Sequence, residues 1–131
     1  MPVIREFEEW YESNKITSNI ETDYNQISEL EHIPKTLSEL EQVIAHITTG
    51  DFKPMVGVYL SYCINNTIPD ERIELTLPEP VNHLGYRLDG KELIIKGDVG
   101  WGVGWEMNGG SITVEGDAGD WIGAKMKGGN I

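Results

Sequence analysis

The sequence predicts an α+β chain in which a small helical N-terminal part precedes a short parallel β-helix of 19-residue turns. Three observations point there. Leu84–Leu93 recurs as Val103–Ile112 and again as Ile122–Ile131, at a constant spacing of 19 residues without gaps. A fixed short period signals stacked, nearly identical units. Glycine divides the chain, with 13 of its 15 glycines between Gly85 and Gly129. The glycine-poor first half carries apolar residues at helical spacing.

Taken in order, Pro2 to Glu12 reads as a short helix. Pro2 suits a first-turn position, and Ile4, Phe7, Trp10 and Tyr11 fall at helical spacing. Ser13 to Lys35 is polar and weakly periodic, so it reads as irregular and partly disordered, with a turn of helix near Ile27 to Leu30. Thr36-Leu37-Ser38-Glu39 is a capping box. Leu37, Leu40, Val43, Ile44 and Ile47 then form one apolar stripe up to a stop at Gly50. Pro54 opens a second helix, on which Val56, Tyr59, Leu60, Cys63 and Ile64 share a face. A turn at Ile68-Pro69-Asp70-Glu71 leads into a strand at Arg72 to Leu77, with Ile73, Leu75 and Leu77 alternating. The division is therefore residues 1–72, helical part and linker, and residues 73–131, about three repeat turns.

Stacked turns place equivalent residues above one another, about 4.8 Å apart. Apolar positions must then stay apolar. Leu84, Val103 and Ile122 form one expected column; Leu88, Met107 and Met126 a second; Leu93, Ile112 and Ile131 a third. Corners needing positive φ or close backbone approach must stay glycine. Gly85, Gly104 and Gly123 are assigned to one corner, and Gly90, Gly109 and Gly128 to another. Gly97, Gly100, Gly116 and Gly119 are assigned to further turns.

Composition narrows the function. Ten basic against 22 acidic residues give a net charge of −12, which opposes nucleic-acid binding. The charge is dispersed rather than blocked, so a solvated surface and a partner with a basic face are both compatible with it. There is no run of 18 apolar residues and no signal-peptide pattern at the N-terminus, so a soluble cytoplasmic protein is expected. A single cysteine, Cys63, excludes an internal disulfide and a multi-cysteine metal site.

Gly100-x-Gly102-x-Gly104 invites a dinucleotide reading, but no helix-period segment follows it to face a phosphate. Asp98 and Asp117, with Asp120 nearby, invite a calcium reading, but the nine-residue rhythm of calcium-binding rolls is absent. His32, His46 and His83 lack ligand-like spacing and read as surface or hydrogen-bonded residues. Cys63 reads as a small core residue. No catalytic, cofactor-binding or metal-ligating residue is assigned, and no cofactor is expected. The suggestive side chains are Tyr86, Trp101, Trp105 and Trp121, which form an interaction surface if they face outward. The alternative is that they pack against the helices.

Gly97-Asp98-Val99-Gly100-Trp101-Gly102-Val103-Gly104 and Gly116-Asp117-Ala118-Gly119-Asp120-Trp121-Ile122-Gly123 resemble the GXGXG β-helix domain. That domain forms one of the subunits of formylmethanofuran dehydrogenase and the C-terminal domain of the glutamate synthase large subunit. The resemblance covers about residues 55 to 131. It implies a right-handed, structural β-helix that braces metal, flavin or iron–sulfur chemistry held by other subunits. The chain then functions as a non-catalytic scaffold or interaction subunit of a multi-subunit oxidoreductase. A second reading is a free-standing acidic protein-binding protein of the inhibitor or immunity type. A third is a β-helix hydrolase or carbohydrate-binding protein. The sequence stops at Ile131, where a strand should begin, so either it is a fragment of a longer chain or a second copy or a partner protein covers that end, and the second is the expectation adopted.

Overall fold

A computed structural model describes residues 2–12, 19–47 and 53–131. The helices are α1 (Pro2–Glu12), α2 (Ile20–Gln26), α3 (Leu37–Ile47) and α4 (Lys53–Asn66), with a short 3-10 turn at Ile27–Glu29 after α2. The strands are β1 (Arg72–Thr76), β2 (Glu92–Lys96) and β3 (Ser111–Glu115). They form one parallel sheet in the order β1-β2-β3.

The expected β-helix is not what forms. Each unit contributes one five-residue strand to a single open sheet. The remainder of each unit is tight turn rather than further strand, so no second sheet closes a coil among the described residues. The fold is α+β, with four helices beside a small three-stranded parallel sheet. The physical reason lies in the turn residues. Left-handed backbone recurs at alternate positions in each unit: His83, Gly85 and Arg87; then Gly102, Gly104 and Glu106; then Trp121, Gly123 and Lys125. Alternate left-handed residues cannot hold the extended conformation a strand requires.

The 19-residue register itself is present. Leu93 pairs with Ile112, and Asn130 bridges Ser111. Gly104 N–H donates to the Leu84 carbonyl at 3.0 Å and Gly123 N–H to the Val103 carbonyl at 2.9 Å, which ties the turns of successive units together. The step from β1 to β2 is one residue longer, pairing Ile73 with Leu93. The glycines divide into two kinds. Gly85, Gly90, Gly97, Gly104 and Gly123 have positive φ. Gly100, Gly109, Gly116, Gly119 and Gly128 do not, and at the Gly90 corner the left-handed position moves to Gly110 and Gly129 in later units. Gly116 illustrates the second kind: a Cβ there would meet the Gly97 carbonyl oxygen at 2.4 Å.

The N-terminal part is more ordered than its polarity suggests. α1 and α3 form where their periodicity places them, and Thr36 accepts from the Glu39 amide at 3.2 Å. The irregular segment expected over residues 13–35 instead contains α2, capped by Asn19 accepting from the Thr22 amide at 3.0 Å. Residues 13–18 and the Gly50 stop lie outside the described residues. α4 is buried almost all round rather than along one stripe, since Val56, Gly57 and Val58 are enclosed along with Tyr59, Leu60 and Cys63. Phe7 of α1 meets Tyr59 edge-on at 4.6 Å, and Tyr24 of α2 meets Tyr62 at 5.2 Å. The core runs without a break from Val3 to Ile112, so residues 1–72 and 73–131 share it.

α4 grips the first unit through Ser61. Its buried hydroxyl lies 2.6 Å from the Gly57 carbonyl and 3.1 Å from that of His83, with one hydrogen to give. It accepts from the Gly85 and Tyr86 amides at 3.0 and 3.2 Å. Asn65 adds a bond to the Tyr86 carbonyl at 2.9 Å. The approach is close, because a Cβ on Gly57 would fall 1.6 Å from the Asn82 carbonyl oxygen.

Ser61→Ala leaves the buried Gly85 amide without its acceptor and is expected to destabilise the protein by roughly 1–3 kcal/mol in urea unfolding. At Lys125, whose φ is 55°, Lys125→Gly is expected to exceed Lys125→Ala in stability by about 1 kcal/mol, because only glycine occupies that conformation without strain.

Candidate functional site

The last two units present the most suggestive surface. Trp101 is 47% exposed and Trp121 66% exposed, and Ile122 and Ile131 are exposed with them. Trp101, Gly119, Asp120 and Trp121 line an open cleft of about 410 Å³. Backbone stacking builds it. Gly119 N–H donates to the Gly100 carbonyl at 3.1 Å, and Gly102 N–H to the Asp120 carbonyl at 2.9 Å. A Cβ on Gly119 would press within 3.2 Å of the Gly100 carbonyl and the Trp101 amide. Glycine therefore lets the two units close up and sets both tryptophans on one cleft.

The tryptophans are held from behind. His83 meets Trp101 edge-on at 4.9 Å and Trp105 at 5.4 Å. Trp105 in turn tilts against Trp121 at 6.3 Å. Asn82 Oδ1 accepts from the Trp101 amide at 3.0 Å and fixes the backbone there. Gly100 and Gly102 have the same origin. A Cβ on Gly100 would meet Asn82 Oδ1 at 1.9 Å, and one on Gly102 would meet His83 Nδ1 at 2.6 Å. The glycine run is thus occupied by side chains of the preceding unit rather than arranged around a phosphate.

Of the four aromatic residues that the sequence singles out, Trp101 and Trp121 are surface residues and Trp105 is half-buried. Tyr86 does not join that surface and follows the alternative of packing against the helices: it is fully buried. Its ring packs edge-on against Tyr24 at 5.1 Å, with the Arg87 guanidinium 5.1 Å from its centroid. Burial pushes its phenol up to about 12, so it stays neutral. Helix α2, which covers it, lies in a segment whose weak periodicity reads as irregular, so no local signal places Tyr86 inside.

His83 is a correction. It is buried, and its Nδ1 has no hydrogen-bond partner among the described residues. Desolvation lowers its pKa. His32 and His46 are exposed and hydrogen-bonded to Glu6 and Glu8 at 3.1 and 2.9 Å. Cys63 is buried and burial drives its thiol pKa upward, which removes the thiolate a nucleophile needs. Asp98 Oδ1 accepts from the Asp117 amide at 2.8 Å, a unit-to-unit tie that commits one oxygen of the pair. Glu6, Glu31 and His32 bring ligand atoms within 4.8 Å of one another. Both Glu6 oxygens are already engaged there by the amide and ring of His32.

Comparison with family models, with curated proteins and with solved structures gives no match. Among the described residues no helix is long and apolar enough to cross a membrane.

His83 carries a pH prediction. Its pKa in the folded state lies below the ordinary 6.5, so the unfolded chain binds the proton more readily. Its contribution is fully present above about pH 6.5 and is lost as pH falls from there through the lowered folded value. Urea midpoints measured between pH 7.5 and pH 5 are expected to fall less in His83→Asn, which cannot take up the proton yet tolerates positive φ.

Proposed function

We propose that this chain is a non-catalytic protein-binding module whose docking surface is the exposed aromatic corner of its last two units. The observation that carries this reading is the pairing of Trp101 and Trp121, both substantially exposed, across one cleft. Exposed tryptophans with apolar neighbours mark interaction sites more often than they mark ordinary surface. The rigid backing from His83 and Trp105 favours binding further, since ordering costs on association are small where the rings are already held.

Non-catalytic action is supported by the state of the chemically capable groups. Cys63 is buried and protonated, and His83 lies behind a tryptophan with its Nδ1 unpaired among the described residues. The resemblance of Gly97–Gly104 and Gly116–Gly123 to the GXGXG domain is what supports a link to a multi-subunit oxidoreductase. The acidic protein-binding reading has a specific observation in its favour, namely that the charged side chain on the cleft is the carboxylate of Asp120.

A photo-reactive amino acid placed at position 121 is expected to give a discrete heteromeric adduct in the source cell. The same group at Asn25 or Glu41, exposed positions on the helices, is expected to give none. Equal labelling from all three positions, or no adduct from position 121, would count against a docking surface at this corner.

A further inference from the structure

We infer that the Trp101–Trp121 cleft takes a cationic side chain, a guanidinium or ammonium group of a basic protein partner. This rests on the docking reading above and names the chemistry of its occupant.

The cleft has two indole rings, one glycine backbone and one carboxylate. Indole faces attract cations through the ring quadrupole, most strongly among the aromatic side chains, when the cation sits within about 6 Å of the ring centroid. A carboxylate beside them supplies the counter-charge. Asp120 is exposed, and among the described residues no basic side chain forms an ion pair with it. Asp98 and Asp117, exposed three residues before Trp101 and Asp120 respectively, add to the acidic character of the same turns. The two basic residues of the last unit, Lys125 and Lys127, follow only after the left-handed turn at Gly123.

Charge favours this occupant over a neutral sugar. A chain of net charge −12 draws a cation from a distance and gains nothing of the kind for an uncharged ligand. The charged side chain on the cleft is that of Asp120, which gives a cation a counter-charge that a sugar does not use. The ring backing serves the same end. The edge-on contact of His83 holds Trp101, and burial favours the uncharged imidazole, which does not repel a cation bound at the indole.

The test is a tryptophan-fluorescence titration of the whole chain with a capped tri-arginine peptide. Tri-glutamate and maltotriose serve as comparisons. Tri-arginine is expected to change the emission saturably, with affinity falling as salt rises. Trp121→Ala is expected to weaken binding about tenfold and Asp120→Asn about threefold. Trp121 is 66% exposed, so its removal leaves the fold intact, and a thermal midpoint measured alongside checks this. No saturable response to tri-arginine, an unchanged affinity in both variants, or saturable binding of maltotriose in its place would overturn the inference. A position-121 adduct in the cell together with a silent tri-arginine titration would overturn this inference alone and leave the docking reading standing.

Discussion

The Ser61 hydroxyl joins the two halves of the molecule. It lies inside α4 at the point where the first left-handed turn presses against the helix, and it accepts from the Gly85 and Tyr86 amides. The Gly85 amide faces the helix rather than another strand, so a side-chain acceptor must meet it where water is excluded, while the Tyr86 amide also reaches the His83 carbonyl at 3.2 Å. Gly57, one helical turn earlier, clears the space that the Asn82 carbonyl enters. The first unit is thereby fixed in position. The second and third follow by backbone bonds at each step, among them Leu84 to Gly104 and Val103 to Gly123.

This explains a gradient in packing through the stack. The strand β2, between two neighbours, is buried at its three central positions, whereas β3 has one buried residue. Ile73, Leu93 and Ile112 carry the core outward from the helices, and Ile122 and Ile131 are exposed. The same progression applies to the aromatics. Tyr86 belongs to the unit covered by α2 and is sealed; Trp105, one unit further, is half-buried. Trp101, on the turn that leads into that same unit, and Trp121, one unit further, are exposed. Burial falls along the stack for the positions that face the helices, while Trp101 faces solvent from a stretch whose Val103 and Met107 are buried.

The glycines do less for chemistry and more for packing than a glycine-rich run suggests. Gly100 and Gly102 leave room for Asn82 and His83, and those two side chains in turn fix the backbone and ring of Trp101. The cleft is therefore a product of three successive units: His83 and Asn82 from the first, Trp101 from the step to the second, and Asp120 with Trp121 from the step to the third. Its rigidity comes from this layering.

Much of the architecture is legible in the chain. Period-3.6 apolar spacing locates α1, α3 and α4, the capping box at Thr36 locates a helix start, and the 19-residue period specifies the register of β2 on β3. These are local or strictly periodic signals, and sequence expresses them directly. Helix α2 is not legible, because its apolar residues are few and Tyr24 is buried only by meeting Tyr62 and Tyr86 from distant parts of the chain. The β-helix expectation fails for a related reason. Repetition specifies stacking, but whether a repeated stretch is strand or turn depends on backbone angles, and His83, Arg87, Glu106, Trp121 and Lys125 adopt left-handed values with no glycine to announce them. Sequence by itself determined which residues stand above which. Only the tertiary structure decided which of them face solvent, because burial is set by neighbours that are remote in the chain.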